Sequence, residues 1–201
     1  MRTAILITPT SKTIPVFEEA DYIGVDAGAL LLIENHVPCA FAVGDFDSLD
    51  EEALQKVEEV CPVYRHPIMK DETDSELAIQ ICTEKGYDSI YLYGALSKRL
   101  DHTLANIRLM MYRYPKVICF DETQSICVLE PGRHEIIKRY KHVSFFSIEP
   151  SILSLQGFLY PLEHQKVFVE DIYCTSNSIV DDVATVLVES GKVLCVQSND
   201  R

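Results

Sequence analysis

An α/β domain followed by an all-β domain is the architecture that this sequence predicts, and three observations carry the prediction. Up to about residue 121, short apolar runs alternate with longer amphipathic ones, the pattern of successive β-α-β units. Past Pro131-Gly132 the texture changes to short runs of β-branched and aromatic residues with no helical periodicity. Acidic clusters, finally, follow several apolar runs of the first part. Residues 1–123 are therefore expected to form a mostly parallel, Rossmann-like sheet with helices, and residues 124–201 an all-β sandwich.

The apolar run 4–7 reads as a first buried strand that breaks at Thr8-Pro9-Thr10. It is too short for a signal peptide or a membrane span. Further strands are expected at 22–25, 40–43, 63–66, 89–93 and 116–120, with helices at 28–35, 51–60, 75–85 and 103–112. In the third helix Leu77, Ile81 and Cys82 recur at helical spacing, and Gly86 follows as a C′ stop. In the fourth, Leu104, Ile107 and Met111 share a face. The second part predicts strands at 125–129, 134–138, 143–148, 157–160, 183–189 and 193–197. Alternation is plain in Val183-Ala184-Thr185-Val186-Leu187-Val188, and Ser190-Gly191-Lys192 reads as a hairpin turn.

Composition narrows the function classes. A hydrophobic content of 47% is that of a globular chain. The net charge of -13 excludes a nucleic-acid partner, which needs a basic surface. It does not exclude a nucleotide, because local cations and a bound metal can reverse the sign of a pocket. The seven cysteines are odd in number and never spaced as Cys-x-x-Cys. They read as buried thiols of a cytoplasmic protein rather than zinc ligands or a disulfide framework.

The acidic clusters are Gly44-Asp45-Phe46-Asp47-Ser48, Lys70-Asp71-Glu72-Thr73-Asp74-Ser75-Glu76 and Arg99-Leu100-Asp101-His102. In an open α/β sheet the carboxyl ends of the strands share one edge, and ligands bind there. Carboxylates gathered on that edge repel one another unless a cation holds them, which points to Mg²⁺ and a phosphorylated substrate. Each cluster also has a plain structural reading. Asp45 and Asp47 fit a solvated turn before a helix. Thr73 with Glu76 fits a capping box, and Asp101 fits a helix cap. Both readings can hold at once, since a helix N-terminus attracts phosphate.

These three clusters, in this order and at these separations and with Asn106 four residues beyond the last, resemble the thiamine pyrophosphokinase family. That family moves a diphosphate from ATP to thiamine. The resemblance continues through Gly157-Phe158-Leu159-Tyr160-Pro161-Leu162 and Thr175-Ser176-Asn177 and so covers most of the chain. It implies Asp45, Asp47, Asp71 and Asp74 as catalytic, Mg²⁺-binding residues. It further implies Asp26, Gly28, Gly44, Ser48, Lys70, Thr73, Arg99, Asp101, His102 and Asn106 around ATP, and Ser176 and Asn177 around the aminopyrimidine of thiamine. Related enzymes hold thiamine between two subunits, which implies a homodimer. The chain departs from the family at Ser97-Lys98, where two glycines are usual, and at Leu30, where asparagine is usual.

Two rival readings use the same residues. Asp45-x-Asp47 suggests a haloacid-dehalogenase-like phosphatase, but that family places its paired acids after the first strand and a small hydroxyl residue where Leu49 stands. A thiamine or nucleotide sensor that has lost turnover is the non-enzymatic alternative, favoured by Ser97-Lys98 and opposed by the intact acids.

Overall fold

The computed structural model describes residues 1–67, 71–96 and 99–200, and the chain divides into two compact units. The first is Met1–Leu109 with Cys119–Asp121, and the second Met110–Ile118 with the chain from Glu122 onward. Through residue 121 the elements are β1 (Thr3–Ile7), β2 (Asp21–Val25), α1 (Gly28–Glu34), β3 (Cys39–Gly44), α2 (Glu51–Val60), β4 (Val63–Arg65), α3 (Asp74–Glu84), β5 (Ser89–Tyr93), α4 (Leu100–Tyr112) and β6 (Val117–Phe120).

Strands lie in the order β4-β3-β2-β1-β5-β6, and the β1–β2, β1–β5, β2–β3 and β3–β4 pairs are all parallel. A parallel sheet must be buried on both faces, and β1 meets that demand: Ala4, Ile5, Leu6 and Ile7 are fully buried. Apolar residues of α1 and α2 close one side, where Ala29, Leu32 and Val57 pack with Ile5, Ile7 and Ala42. Because the pairs are parallel, the carboxyl ends of β1 to β5 share an edge, as the sequence predicts. Gly86 sits just past α3 at φ +76°, the left-handed conformation that glycine adopts without strain. The fourth helix starts three residues before its predicted first residue, so Asp101 lies inside the first turn and is not its cap.

The second unit continues through β7 (Gln124–Leu129), β8 (Gly132–Ile137), β9 (His142–Ser147), β10 (Ser151–Gln156), β11 (Leu162–Val167), β12 (Val183–Ser190) and β13 (Val193–Ser198). Two antiparallel layers, β7-β13-β9 and β11-β10-β12-β8, share one core. Leu129, Phe145 and Val193 of the first layer pack with Leu153, Val167 and Val186 of the second.

The structure of the second unit departs from the sequence reading in three places. Residues 157–160 form no strand: Phe158 is buried and makes an isolated bridge to Ile179, while Leu159 and Tyr160 are exposed. The strands β10 and β11 were not predicted. A register shift between Leu153 and Leu155 interrupts the alternation of β10, and β11 is an edge strand whose middle is polar and exposed. Ser190-Gly191-Lys192 is no hairpin turn either. The strand before it pairs with β8 and β10, the strand after it with β7 and β9, so the segment carries the chain from one layer to the other.

Candidate active site

The ends of β2 and β3 build the site. Val25 pairs with Val43, and the Asp26 N–H donates to the Val43 carbonyl at 2.8 Å. Immediately beyond, both chains turn through left-handed backbone, Asp26 at φ +48° and Phe46 at φ +59°. Aspartate tolerates that region; a bulky residue is strained there by about 1–2 kcal/mol. Burial of the Phe46 ring, 2% exposed among Leu32, Val57 and Ala42, offsets the strain. The ring goes into the core, while the flanking Asp45 is half-buried and Asp47 exposed.

Gly44 lets the third carboxylate join them. A Cβ at Gly44 would stand 3.1 Å from the Asp26 Cα and 3.2 Å from its nitrogen, so a side chain would crowd Asp26 away. With glycine in place, one carboxylate oxygen from each of Asp26, Asp45 and Asp47 lies within 4.8 Å of the others. The Asp47 N–H donates to Asp45 Oδ1 at 3.2 Å, and the Ser48 hydroxyl donates to Asp26 Oδ2 at 2.9 Å. Asp26 Oδ1 is buried and accepts no hydrogen bond among the described residues.

Burial raises the Asp26 carboxyl above its ordinary value. The Ser48 hydroxyl and the Ala27 backbone work against that shift, and the charges of Asp74 and Asp45 add to it. An orphaned, buried carboxylate oxygen beside two further carboxylates fits a small divalent cation that takes oxygen ligands. The sign of the pH dependence follows. Between the ordinary value near 3.8 and the raised one, the folded chain holds the extra proton, so without cation the contribution of Asp26 to stability falls as pH rises through that window. Asp26→Asn is therefore expected to raise the Tm at pH 7 in chelator and to diminish the further rise that Mg²⁺ gives the parent protein. Melting curves with and without Mg²⁺ check both; an unchanged response to Mg²⁺ would overturn the assignment.

The predicted metal set named Asp45, Asp47, Asp71 and Asp74. The structure gathers the first two with Asp26, and neither Asp71 nor Asp74 belongs to that group of three. Asp74 opens α3, close enough for its charge to act on Asp26, and Thr73 caps the helix by accepting from the Glu76 N–H at 3.2 Å. Asp71 is exposed just ahead of it. Lys70, Ser97 and Lys98 lie outside the described residues.

Other predicted positions have structural work of their own. A Cβ at Gly28 would fall 1.9 Å from the Ile7 carbonyl oxygen, so that glycine lets α1 pack on β1. Arg99, predicted as a phosphate fork, grips Asp101 through two bonds, Nη2 to Oδ2 at 2.5 Å and Nε to Oδ1 at 3.2 Å. That grip lowers the Asp101 carboxyl to about 2. His102 is exposed on the same helical turn. Asn106 is buried and donates to the Ala95 carbonyl at 3.2 Å, which anchors the segment after β5.

In the second unit the 160 and 173–177 segments meet around a cavity of about 70 Å³ lined by Tyr160, Leu162, Tyr173, Thr175 and Asn177. Asn177 was expected to offer its amide to a ligand, yet that amide is largely engaged. Its Oδ1 accepts from the Tyr160 and Ser178 N–H groups at 3.0 and 2.9 Å, and its Nδ2 donates to the Tyr160 carbonyl at 2.8 Å. Asn177 thus pins the turn at Tyr160. Ser176 is exposed in left-handed backbone, φ +61°. A roomier cavity of about 560 Å³ lies over β10, β11 and β12, lined by Arg133, Gln156, His164, Thr185 and Leu187. It gathers neither the carboxylates nor the 173–177 segment, so volume alone does not mark the site.

Comparison with known proteins agrees with this layout. Residues 16–120 match the family model "Thiamin pyrophosphokinase, catalytic domain", and residues 133–193 match "Thiamin pyrophosphokinase, vitamin B1 binding domain". The thiamine pyrophosphokinase of Bacillus subtilis (strain 168) is 30% identical over 191 residues, covering 91% of this chain and 89% of that protein. Its crystal structure superposes with a TM-score of 0.88 at 29% identity, covering 100% of each chain. The thiamin pyrophosphokinase family protein of Enterococcus faecalis gives 0.88 at 27% identity with the same coverage. A carboxylate-edged α/β unit followed by an antiparallel β unit, matched in this way along its length, defines a transferase of the kinase class. The chain belongs to the thiamin pyrophosphokinase family and is an enzyme of thiamine diphosphate biosynthesis. The phosphatase and sensor readings are not favoured by these matches.

Proposed function

We propose that this enzyme transfers the diphosphate of ATP to the hydroxyethyl group of thiamine, giving thiamine diphosphate and AMP. The α/β domain, taken as residues 1–123 and Rossmann-like in its nucleotide handling, holds ATP. The sandwich, residues 124–201, holds the vitamin. Asp26, Asp45 and Asp47 hold Mg²⁺, and Asp74 and Asp71 act at longer range. The observation that carries this reading is the carboxylate triplet at the strand ends, with a buried Asp26 oxygen that has no hydrogen-bond partner among the described residues.

Bound there, Mg²⁺ supplies charge neutralisation for the phosphate oxygens. The protein's own part is alignment: Asp45 and Asp47 are set by the buried Phe46 ring, and Asp26 by Gly44 and the Ser48 hydroxyl. Arg99 reaches a phosphate by exchanging one oxygen of Asp101 for one of the ligand. Tyr160 and Tyr173, both more than half exposed, offer aromatic faces to the thiamine cation, and Ser176 a hydroxyl. The family resemblance extends the reading to a cytoplasmic homodimer.

Incubation with ATP, Mg²⁺ and thiamine, followed by separation of the products, tests it. AMP with thiamine diphosphate is the expected pair. Inorganic phosphate without a thiamine ester, or ADP with thiamine monophosphate, would overturn it.

A further inference from the structure

Two cysteines face each other across one ladder of the second unit: Cys127 of β7 is the direct register partner of Cys195 of β13. Directly opposed residues of an antiparallel pair have Cα atoms about 4.5–5.5 Å apart and side chains on one face. That spacing lies within the roughly 4.4–6.8 Å a disulfide accepts. Their burial differs. Cys195 is 2% exposed inside the core, whereas Cys127 packs at its margin and is partly accessible. The Cys195 thiol hydrogen-bonds the Cys127 sulfur, which lowers the Cys127 thiol from its ordinary range. The same bond, with burial, raises Cys195. An accessible, more acidic thiol beside a buried one is the division of labour between an attacking and a resolving cysteine.

We propose that Cys127 and Cys195 form a reversible dithiol–disulfide site that a peroxide oxidises. The Cys127 sulfur attacks hydrogen peroxide, the O–O bond breaks, and Cys127 sulfenic acid and one water result. The Cys195 sulfur then attacks that sulfur; the S–S bond forms, the S–O bond breaks, and the hydroxyl leaves as a second water with the Cys195 proton. Two thiols give up two electrons, and one peroxide is reduced to two waters.

The cross-strand position favours reversal. Opposed Cβ atoms start about 4.5–5.5 Å apart, wider than the roughly 3.5–4.5 Å of a relaxed disulfide, so closure draws the strands together and leaves a strained bond that thiols reduce readily. The pull acts on a sheet with functional neighbours. Cys195 also pairs with Phe145 of β9, whose N–H donates to the Cys174 carbonyl at 3.0 Å, at the edge of the 174–177 segment.

Cys39 and Cys61 provide an internal control, since their thiols also hydrogen-bond each other but both are buried, at 8% and 5% exposure. The test is titration of the intact protein with hydrogen peroxide, thiol counting and disulfide mapping by mass spectrometry. Two of the seven thiols are expected to disappear, to reappear with dithiothreitol, and to map to one Cys127–Cys195 linkage within the chain. Cys195→Ser should leave a Cys127 sulfenic acid that a 1,3-dione traps. A linkage at Cys39–Cys61, a linkage between chains, or sulfonic acid at Cys127 of the parent protein with Cys195 untouched would each overturn the proposal. The decisive mapping uses the unsubstituted protein, so it does not depend on a variant folding.

Discussion

Replacing Asp45 or Asp47 by Asn is expected to lower kcat for thiamine diphosphate formation by on the order of 10²–10³-fold or more, with the melting temperature unchanged or raised. Each change swaps a charged oxygen for a neutral amide of nearly the same shape, so the Phe46 turn that aims the two side chains persists. What disappears is one of three carboxylates that lie within 4.8 Å of each other. The remaining two hold a divalent cation less tightly and neutralise less phosphate charge in the transition state. Stability moves the other way, because three crowded carboxylates repel and removing one charge relieves them. Steady-state kinetics over a range of Mg²⁺ concentrations, beside a thermal melt, separate the two effects. A near-normal kcat at ordinary Mg²⁺ in either variant would refute the role given to the triplet.

Asn177→Ala should act on stability and on the vitamin together. The amide makes three hydrogen bonds to the backbone of Tyr160 and Ser178, and Asn177 itself is 4% exposed. Leaving such partners unsatisfied costs about 1–3 kcal/mol. Tyr160 is 64% exposed, so water can replace part of the loss at its backbone and the low end of that range is expected. The backbone bridge between Val143 and Asn177 survives the change, so the segment stays on β9 while the turn at Tyr160 loosens. Denaturant unfolding reports the first effect, and titration calorimetry with thiamine and with ATP the second. Thiamine affinity is expected to fall and ATP affinity to hold. Equal losses for both ligands would mean that the residue serves the fold alone.

Much of the α/β part was legible because its signals are local. Apolar runs bounded by polar turns mark β1 to β6, Gly86 marks the end of α3, and Thr73 does cap that helix as its spacing with Glu76 suggests. The β part was read less well wherever the signal was not local. The polar edge strand β11 has one fully buried residue, Val167, to announce it. Residues 157–160 have the apolar content of a strand but pair through a single bridge, Phe158 to Ile179, while Leu159 and Tyr160 face solvent.

Asp26 shows the same limit at the site. As one aspartate between a valine and an alanine it has no acidic company in sequence, and resemblance placed it only near the nucleotide. The missing signal was Gly44, eighteen residues later, whose lack of a side chain admits it beside Asp45.

By itself the sequence determined the order of elements in the α/β part, the change of texture near residue 121, the family, and the acidic turn at Asp45-Phe46-Asp47, because hydrophobic periodicity and turn chemistry act between near neighbours. Only the tertiary structure decided which carboxylate completes the triplet, that Ser190-Gly191-Lys192 crosses between layers, that the Asn177 amide holds a turn, and that Cys127 meets Cys195. Each of those depends on strand register and close approach between residues far apart in the chain, and pairing distance leaves no mark on local composition.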